Sequence, residues 1–82
     1  MDEYREAVEE FNRVYRQLKK YKELRRAIHT SMYEDGWIEV REFQGDKPGK
    51  CICRVTDEDD ANLYRLAARD LERILKRVRN EN

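Results

Sequence analysis

Apolar side chains recur at helical spacing over the first third of the chain. Steps of three and four residues connect Tyr4, Ala7, Phe11, Val14, Leu18, Tyr21, Leu24, Ile28 and Met32. A heptad-like seam of this kind, which no Gly or Pro interrupts, is typical of one long helix of the coiled-coil type. The sequence therefore predicts a helix over residues 3–33, which ends before Gly36 because glycine readily adopts a left-handed stop conformation.

Strict alternation replaces the helical spacing in the middle of the chain. Residues 37–43 and 50–55 alternate and are rich in β-branched and aromatic side chains, which favours two strands. The turn between them is too short for a crossover connection, so we expect an antiparallel hairpin. The register that collects apolar side chains on one face predicts the pairs Ile38–Val55, Glu39–Arg54, Val40–Cys53, Glu42–Cys51 and Phe43–Lys50.

Helical spacing returns over residues 57–79. Acidic residues crowd the start of this segment and basic residues its end, as the helix dipole favours. The predicted order is α-β-β-α within a single domain spanning residues 1–82. We therefore expect an α+β fold in which two antiparallel helices, the first one long, carry one packed antiparallel hairpin.

The first predicted helix is longer than the second, so its N-terminal turns have no partner within the chain. That overhang carries the apolar side chains of Tyr4, Ala7, Val8 and Phe11. A second copy of the chain is the simplest cover for them, because small domains often complete a marginal core by oligomerising. These four residues are the predicted homodimer interface.

Composition narrows the class of protein. The chain has 82 residues, of which 44% are charged, and its 18 basic side chains balance its 18 acidic ones. Its mean hydropathy is -1.12. No apolar run is long enough to span a membrane, and Met1 is followed by acidic residues, so we expect no membrane segment and no secretory signal. With two cysteines read as reduced thiols, the predicted location is the cytoplasm.

Residues that carry chemistry are few and poorly spaced. Cys51 and Cys53 together with His29 offer three soft ligands, but a structural zinc site wants a fourth ligand and a wider cysteine spacing. The acidic run over residues 57–60 does not match a calcium loop and is explained by helix capping. We therefore expect no metal, no cofactor and no enzymatic activity.

The outward face of the predicted hairpin is the leading candidate for a binding site. It would hold Trp37, Arg41, Phe43, Ile52 and Arg54. Tryptophan and arginine are enriched at interaction hot spots, and exposed apolar patches with a charged rim mark interaction sites. We expect a protein-binding module that acts as an adaptor, a regulator or an inhibitor of a partner, of the compact kind carried by phages and mobile elements. The alternative is that this face packs in the dimer or onto the core.

A second function class remains open. Basic side chains cluster in the later half of each predicted helix, and phosphate binding needs such clustered cations. The balanced overall charge and the lack of a recognised nucleic-acid-binding motif weigh against this class. The candidate nucleic-acid contacts are Arg13, Arg16, Lys19, Lys20, Arg73 and Arg77.

Overall fold

A computed structural model describes residues 2–81 and shows five elements. They are helix α1 (Glu3–Leu18), strands β1 (Leu24–His29), β2 (Gly36–Gln44) and β3 (Lys47–Asp57), and helix α2 (Asp60–Glu81). The strands form an antiparallel sheet in the order β1-β2-β3. The predicted α+β class, with two helices packed beside an antiparallel hairpin, is confirmed.

The predicted helix over residues 3–33 is correct only in its first half. The chain turns after Leu18, where the backbone amides of Tyr21 and Lys22 donate to the Leu18 carbonyl oxygen, and then enters β1. Of the apolar seam beyond Leu18, only Leu24 is buried, whereas Tyr21, Ile28 and Met32 are exposed. The free edge of β2 stabilises residues 24–29 as a strand, and this tertiary pairing overrides local helical spacing.

The added strand also reverses the predicted orientation of the helices. The Arg65 guanidinium lies 4.0 Å from the Glu3 carboxylate, and the Arg79 guanidinium donates to the Gln17 side chain at 2.9 Å. The starts of the two helices are therefore adjacent, as are their ends, so α1 and α2 run parallel. The expected antiparallel pair is wrong because three strands, rather than two, separate the helices.

The predicted hairpin register holds over half of its length. Ile38–Val55, Glu39–Arg54 and Val40–Cys53 pair as expected. The next pair is Arg41–Cys51, so Ile52 is an extra residue on β3, and the expected Glu42–Cys51 and Phe43–Lys50 pairs do not form. A bulge of this kind locally redirects the side chains of the bulged strand.

The core lies between the two helices and one face of the sheet. Phe11 and Tyr64 pack edge to face across the helix pair, with 5.6 Å between their ring centroids. Ile38 and Val40 of β2 are fully buried from the sheet side. Within the described residues, neither helix combines the length and the apolar character that a membrane crossing requires.

Candidate interaction surfaces

The sheet presents a second face that neither helix covers within residues 2–81. Side chains on this face alternate with the buried ones along each strand, so the residue pairing places them together. None of them is buried. We call this surface the open face and define it by Arg25, Ala27, His29, Trp37, Glu39, Arg41, Phe43, Arg54 and Thr56.

Glu39 organises the centre of the open face. Its carboxylate accepts a hydrogen bond from Arg41 Nε and another from Arg54 Nη1, the latter at 2.7 Å. The hydrogen bond from Arg41 is the main reason that the pKa of Glu39 lies below its ordinary value, and the same contact raises the pKa of Arg41. The charged carboxylate therefore holds two guanidinium groups in fixed positions.

Aromatic rings flank this charged centre at both ends of β2. The Trp37 ring stacks on His29 with 5.8 Å between centroids, and the Arg54 guanidinium lies 5.9 Å from the Trp37 centroid. At the other end, the Arg25 guanidinium lies 4.5 Å from the Phe43 centroid. Cation–π contacts of this kind keep arginine and aromatic side chains in register on an exposed surface.

The structure brings together four of the five predicted partner-binding residues. Trp37, Arg41, Phe43 and Arg54 share the open face, whereas Ile52 does not. Because of the β3 bulge, the Ile52 side chain is half-buried and packs against the helix-side core. The predicted position of Ile52 on the outward face is therefore wrong. The bulge shifts the pairing of β3 by one residue, and the alternation of side chains in the sequence does not predict that shift.

The predicted dimer-interface residues lie mainly inside the chain's own core. Ala7 and Phe11 are buried, and Val8 is half-buried against the same core. Tyr4 is partly exposed and packs edge to face on Tyr64, at 5.7 Å between centroids. The expected overhang of the first helix does not exist, because α1 ends at Leu18 and α2 covers it along its length.

The sequence does not predict the loop between β1 and β2, because its helical spacing assigns residues 30–33 to the end of a helix. We call residues 30–35 the tip loop. Its Met32 and Tyr33 side chains are 82% and 97% exposed. Ser31 fixes the loop on the start of α2, since its backbone N–H and its hydroxyl both donate to Asp60 Oδ1 at 2.8 Å.

Charge is segregated between the two ends of the molecule. Because the helices are parallel and the strands alternate, residues 2–6, 29–36 and 57–65 meet at one end, which we call the acidic end. These segments carry nine acidic and two basic side chains. Residues 13–25, 42–50 and 73–81 meet at the opposite end, the basic end, with twelve basic and four acidic side chains.

All six predicted nucleic-acid contacts lie at the basic end and are exposed. They occupy the last turns of both helices and the turn after α1. Arg73 contacts Asp70 at 3.4 Å on its own helix. Because the helices are parallel, these cations lie together at one end of the molecule, although they belong to two segments that are far apart in the sequence.

A groove at the basic end separates the last turns of α2 from β3. Its volume is about 340 Å³, and we call it the basic-end groove. Ile52, Ile74 and Val78 form an apolar floor, and Lys22, Lys50 and Arg77 are the basic residues of its lining, together with the acidic Glu42 and Glu81. Lys22 donates to Glu42 at 2.8 Å, which ties the turn after α1 to β2.

The two cysteines are free thiols in different surroundings. Cys53 is buried, and its Sγ lies 3.8 Å from Asp70 Oδ2. Burial, reinforced by the Asp70 carboxylate, raises the pKa of the Cys53 thiol to about 12. Across residues 2–81, no cluster of three or more His, Cys, Asp or Glu side chains has a geometry that could hold a metal ion.

His29 and the acidic run both have local partners. His29 Nε2 lies 3.4 Å from Glu34 in the tip loop. Asp59 accepts from the backbone N–H of Ala61, and Asp57 accepts from Asp59 N–H and from the Asn62 side chain. The two hydrogen bonds that Asp57 accepts hold its pKa below the ordinary value, and the one from the Asp59 N–H is the largest cause. Helix α2 starts at Asp60 rather than at the predicted residue 57, and within the run it is Asp59 that caps a backbone N–H of this helix.

Comparison of the chain with protein-family models, with curated proteins and with solved structures finds no match.

Proposed function

We propose that the protein is a non-enzymatic protein-binding module that docks a partner protein on its open face. The observation that carries the proposal is the arrangement around Glu39, where two oriented arginines lie between Trp37 and Phe43. Tryptophan and arginine are the residues most enriched at interface hot spots. A surface that fixes them in place before binding loses less conformational freedom when the partner docks.

The charges of the open face favour a partner of opposite sign. Three arginines and one glutamate lie on it, so its formal charge is positive. Arg25 and Arg54 are exposed, and the aromatic rings beside them are half-buried. A partner that offers carboxylates around an apolar centre would pair with both features, and charge complementarity of this kind sets specificity and the association rate.

The biological role that follows is that of an adaptor, a regulator or an inhibitor that masks its partner. We place it in a reducing compartment such as the cytoplasm. Both cysteines are free thiols, and free thiols persist where glutathione and thioredoxin keep them reduced.

Affinity capture from a lysate of the source cells tests the proposal when three baits are compared in parallel. The wild type and the double variant Trp37→Ala/Phe43→Ala are compared with Tyr4→Ala, which removes an exposed aromatic ring away from the open face. We expect a protein that the wild type and Tyr4→Ala capture and that the double variant loses. Nuclease treatment should leave the capture unchanged.

The purified partner then allows a direct measurement. The chain has a single tryptophan, Trp37, so replacing it biosynthetically with 7-azatryptophan, which can be excited apart from the partner's tryptophans, makes its emission report contact at the open face. We expect a saturable change in Trp37 emission on titration with the partner, and an affinity at least tenfold weaker for Arg54→Ala. A captured protein that leaves Trp37 emission unchanged, or that the double variant still binds, contradicts the proposal.

A specific observation favours nucleic acid as a second candidate. The basic end gathers six cations from two segments that are far apart in the sequence, namely Arg13, Arg16, Lys19, Lys20, Arg73 and Arg77. Fluorescence anisotropy with labelled single-stranded and duplex oligonucleotides tests it over a salt series. Binding through phosphates predicts that log affinity falls with log salt by about 0.7–0.9 per contact, and that Arg13→Glu/Arg16→Glu reduces this slope. A flat salt response excludes this candidate.

A further inference from the structure

The tip loop exposes two large side chains in a conformation that the rest of the fold holds in place. Ser31 is bound to Asp60 at the start of α2. On the other side of the loop, a Cβ on Gly36 would lie 2.8 Å from the His29 carbonyl oxygen and 3.0 Å from Leu63. The loop is therefore hydrogen-bonded to the start of α2 and joins β2 at a closely packed position, while Met32 and Tyr33 remain exposed. Because the loop backbone is already held by Ser31, docking would cost mainly the rotamer entropy of these two side chains.

The surroundings of the tip loop are strongly acidic. Glu34 and Asp35 belong to the loop, and Asp57, Glu58 and Asp59 are adjacent to it through the start of α2. No lysine or arginine occurs in residues 29–36. The surface that receives Met32 and Tyr33 should therefore combine an apolar recess with basic side chains.

The basic-end groove of the same chain has these properties. Its floor is apolar, three of its lining residues are basic, and its volume of about 340 Å³ can receive an aromatic side chain. It lies at the opposite end of a molecule whose longest dimension is 37 Å, so a chain cannot insert its own tip loop. Only a second copy can bring the two surfaces together.

We propose that the tip loop of one copy docks in the basic-end groove of a second copy, with Tyr33 as the anchor. The nine acidic side chains of one end then face the twelve basic side chains of the other. The contact is heterologous: the copy that donates its loop keeps a free groove, and the copy that receives it keeps a free loop, so copies add head to tail into open chains or close into a ring. The contact does not use the open face, so it is independent of the proposed partner binding.

Electrostatics determines the expected strength of this association. The charged ends attract over distances comparable to the Debye length, about 8 Å at 0.15 M ionic strength. The loop and the groove are small compared with a standard interface, which places the contact among weak, transient ones. We expect association that is strong at low salt, that falls steeply as salt rises, and that produces species larger than a dimer as concentration increases.

A pair of complementary variants tests the proposal by sedimentation velocity. The loop variant Met32→Ser/Tyr33→Ser retains the groove, and the groove variant Lys50→Glu/Arg77→Glu retains the loop. All four positions are exposed, so both variants should keep the fold, as far-UV circular dichroism checks. We expect each variant alone to be monomeric, whereas an equimolar mixture forms a dimer that does not grow further.

Two controls separate docking from a general charge effect. Tyr21→Ser removes another exposed tyrosine outside the tip loop, and Arg13→Glu/Arg16→Glu reverses two charges at the basic end outside the groove lining. We expect Tyr21→Ser to associate as the wild type does, and the charge reversal to weaken association less than the groove variant does. We expect the loop variant to weaken it about tenfold or more.

Three outcomes would overturn the proposal. The wild type could remain monomeric at low salt up to about 1 mM, which would leave a contact weaker than about 4 kcal/mol. It could stop at a dimer that the loop variant does not weaken, which would indicate a two-fold contact elsewhere on the surface. The loop and groove variants could also fail to associate when mixed, although each retains its fold.

Discussion

Glu39 accounts for the order of the open face because it bridges two arginines that would otherwise repel each other. Its carboxylate accepts from Arg41 and Arg54. A charged acceptor strengthens such hydrogen bonds. The same carboxylate also couples the stability of the fold to pH.

The pH dependence of stability follows from the lowered pKa of Glu39. A carboxylate whose pKa is lower in the folded state adds stability above its unfolded value near 4.5, and this stability is lost as pH falls through the folded value. We expect Glu39→Gln to reduce the difference in unfolding free energy between pH 7 and pH 3, measured by urea titration. The exposed Glu10→Gln variant should retain the wild-type difference. An equal effect of both variants would contradict this role for Glu39.

The two cysteines should differ in reactivity. With its pKa raised to about 12 by burial, the Cys53 thiol is ionised in only about one molecule in 10⁴ at pH 8. Cys51 is half-buried and more accessible. We expect iodoacetamide to modify Cys51 in the folded protein and Cys53 only in denaturant, as mass spectrometry of Cys51→Ala and Cys53→Ala would show. Rapid modification of Cys53 by iodoacetamide in the folded Cys51→Ala variant would contradict this prediction.

At the scale of elements, Gly36 is a closely packed position where the tip loop joins β2. A Cβ at this position would lie 2.8 Å from the His29 carbonyl oxygen and 3.0 Å from both the Ser31 nitrogen and the Leu63 side chain. We expect Gly36→Ala to destabilise the fold by about 1–3 kcal/mol, the usual range for overpacking. Thermal unfolding measures the change. Gly45→Asn is the control, because Gly45 has φ 65° and open space around it, a conformation that asparagine tolerates.

Substitution of Phe11 tests whether α1 belongs to the core of one chain or to an interface between two chains. It is fully buried between α1 and α2. We expect Phe11→Ala to reduce the unfolding free energy by about 3–5 kcal/mol, and Tyr4→Ala to reduce it far less because Tyr4 is partly exposed. Chemical denaturation monitored by circular dichroism gives both values. If Phe11→Ala instead changed the oligomeric state at unchanged stability, α1 would be an interface helix.

The sequence predicts those elements whose local pattern agrees with their tertiary environment. Residues 37–43 and 50–55 alternate because one side faces the core, and the second helix has one continuous apolar stripe. The segment from Leu24 to His29 lacks such agreement. As an edge strand it buries little more than Leu24, so its apolar residues keep no period of two. Its partner strand, rather than its own pattern, determines its structure.

The sequence predicts part of the open face, but it predicts neither the position of Ile52 nor the two charged ends. Alternation on β2 alone groups Trp37, Arg41 and Phe43 on one face, and the structure places them there. The displacement of Ile52 depends on a bulge, which side-chain pattern does not encode. The separation of acidic and basic ends depends on whether α2 runs parallel or antiparallel to α1. Because the sequence does not predict β1, it predicts the antiparallel direction.

At the scale of the whole molecule, parallel helices align their dipoles. Both N-termini lie at the acidic end and both C-termini at the basic end. Acidic side chains are favourable near helix N-termini and basic ones near C-termini. The charge segregation therefore stabilises each helix separately, and it also gives a protein of zero net charge two ends of opposite sign.

Removal of α2 should unfold α1 as well. The buried stripe of α1 packs mainly on α2, and an isolated helix of 16 residues is marginal in water. We expect a chain that stops after Glu58 to lose the helical circular dichroism signal of α1. Trimming residues 80–82 should leave that signal nearly unchanged. A truncated chain that retains a helical first segment would show that α1 is stable on its own.

The pairing of the first and last elements has a consequence during synthesis. Gln17 and Arg79, which hydrogen-bond to each other, are 62 residues apart. A ribosome therefore releases α1 into the cell long before its packing partner has been translated. Contacts of such long range also slow folding. The apolar stripe of α1 is thus exposed to chaperones and to other nascent chains until α2 has been translated.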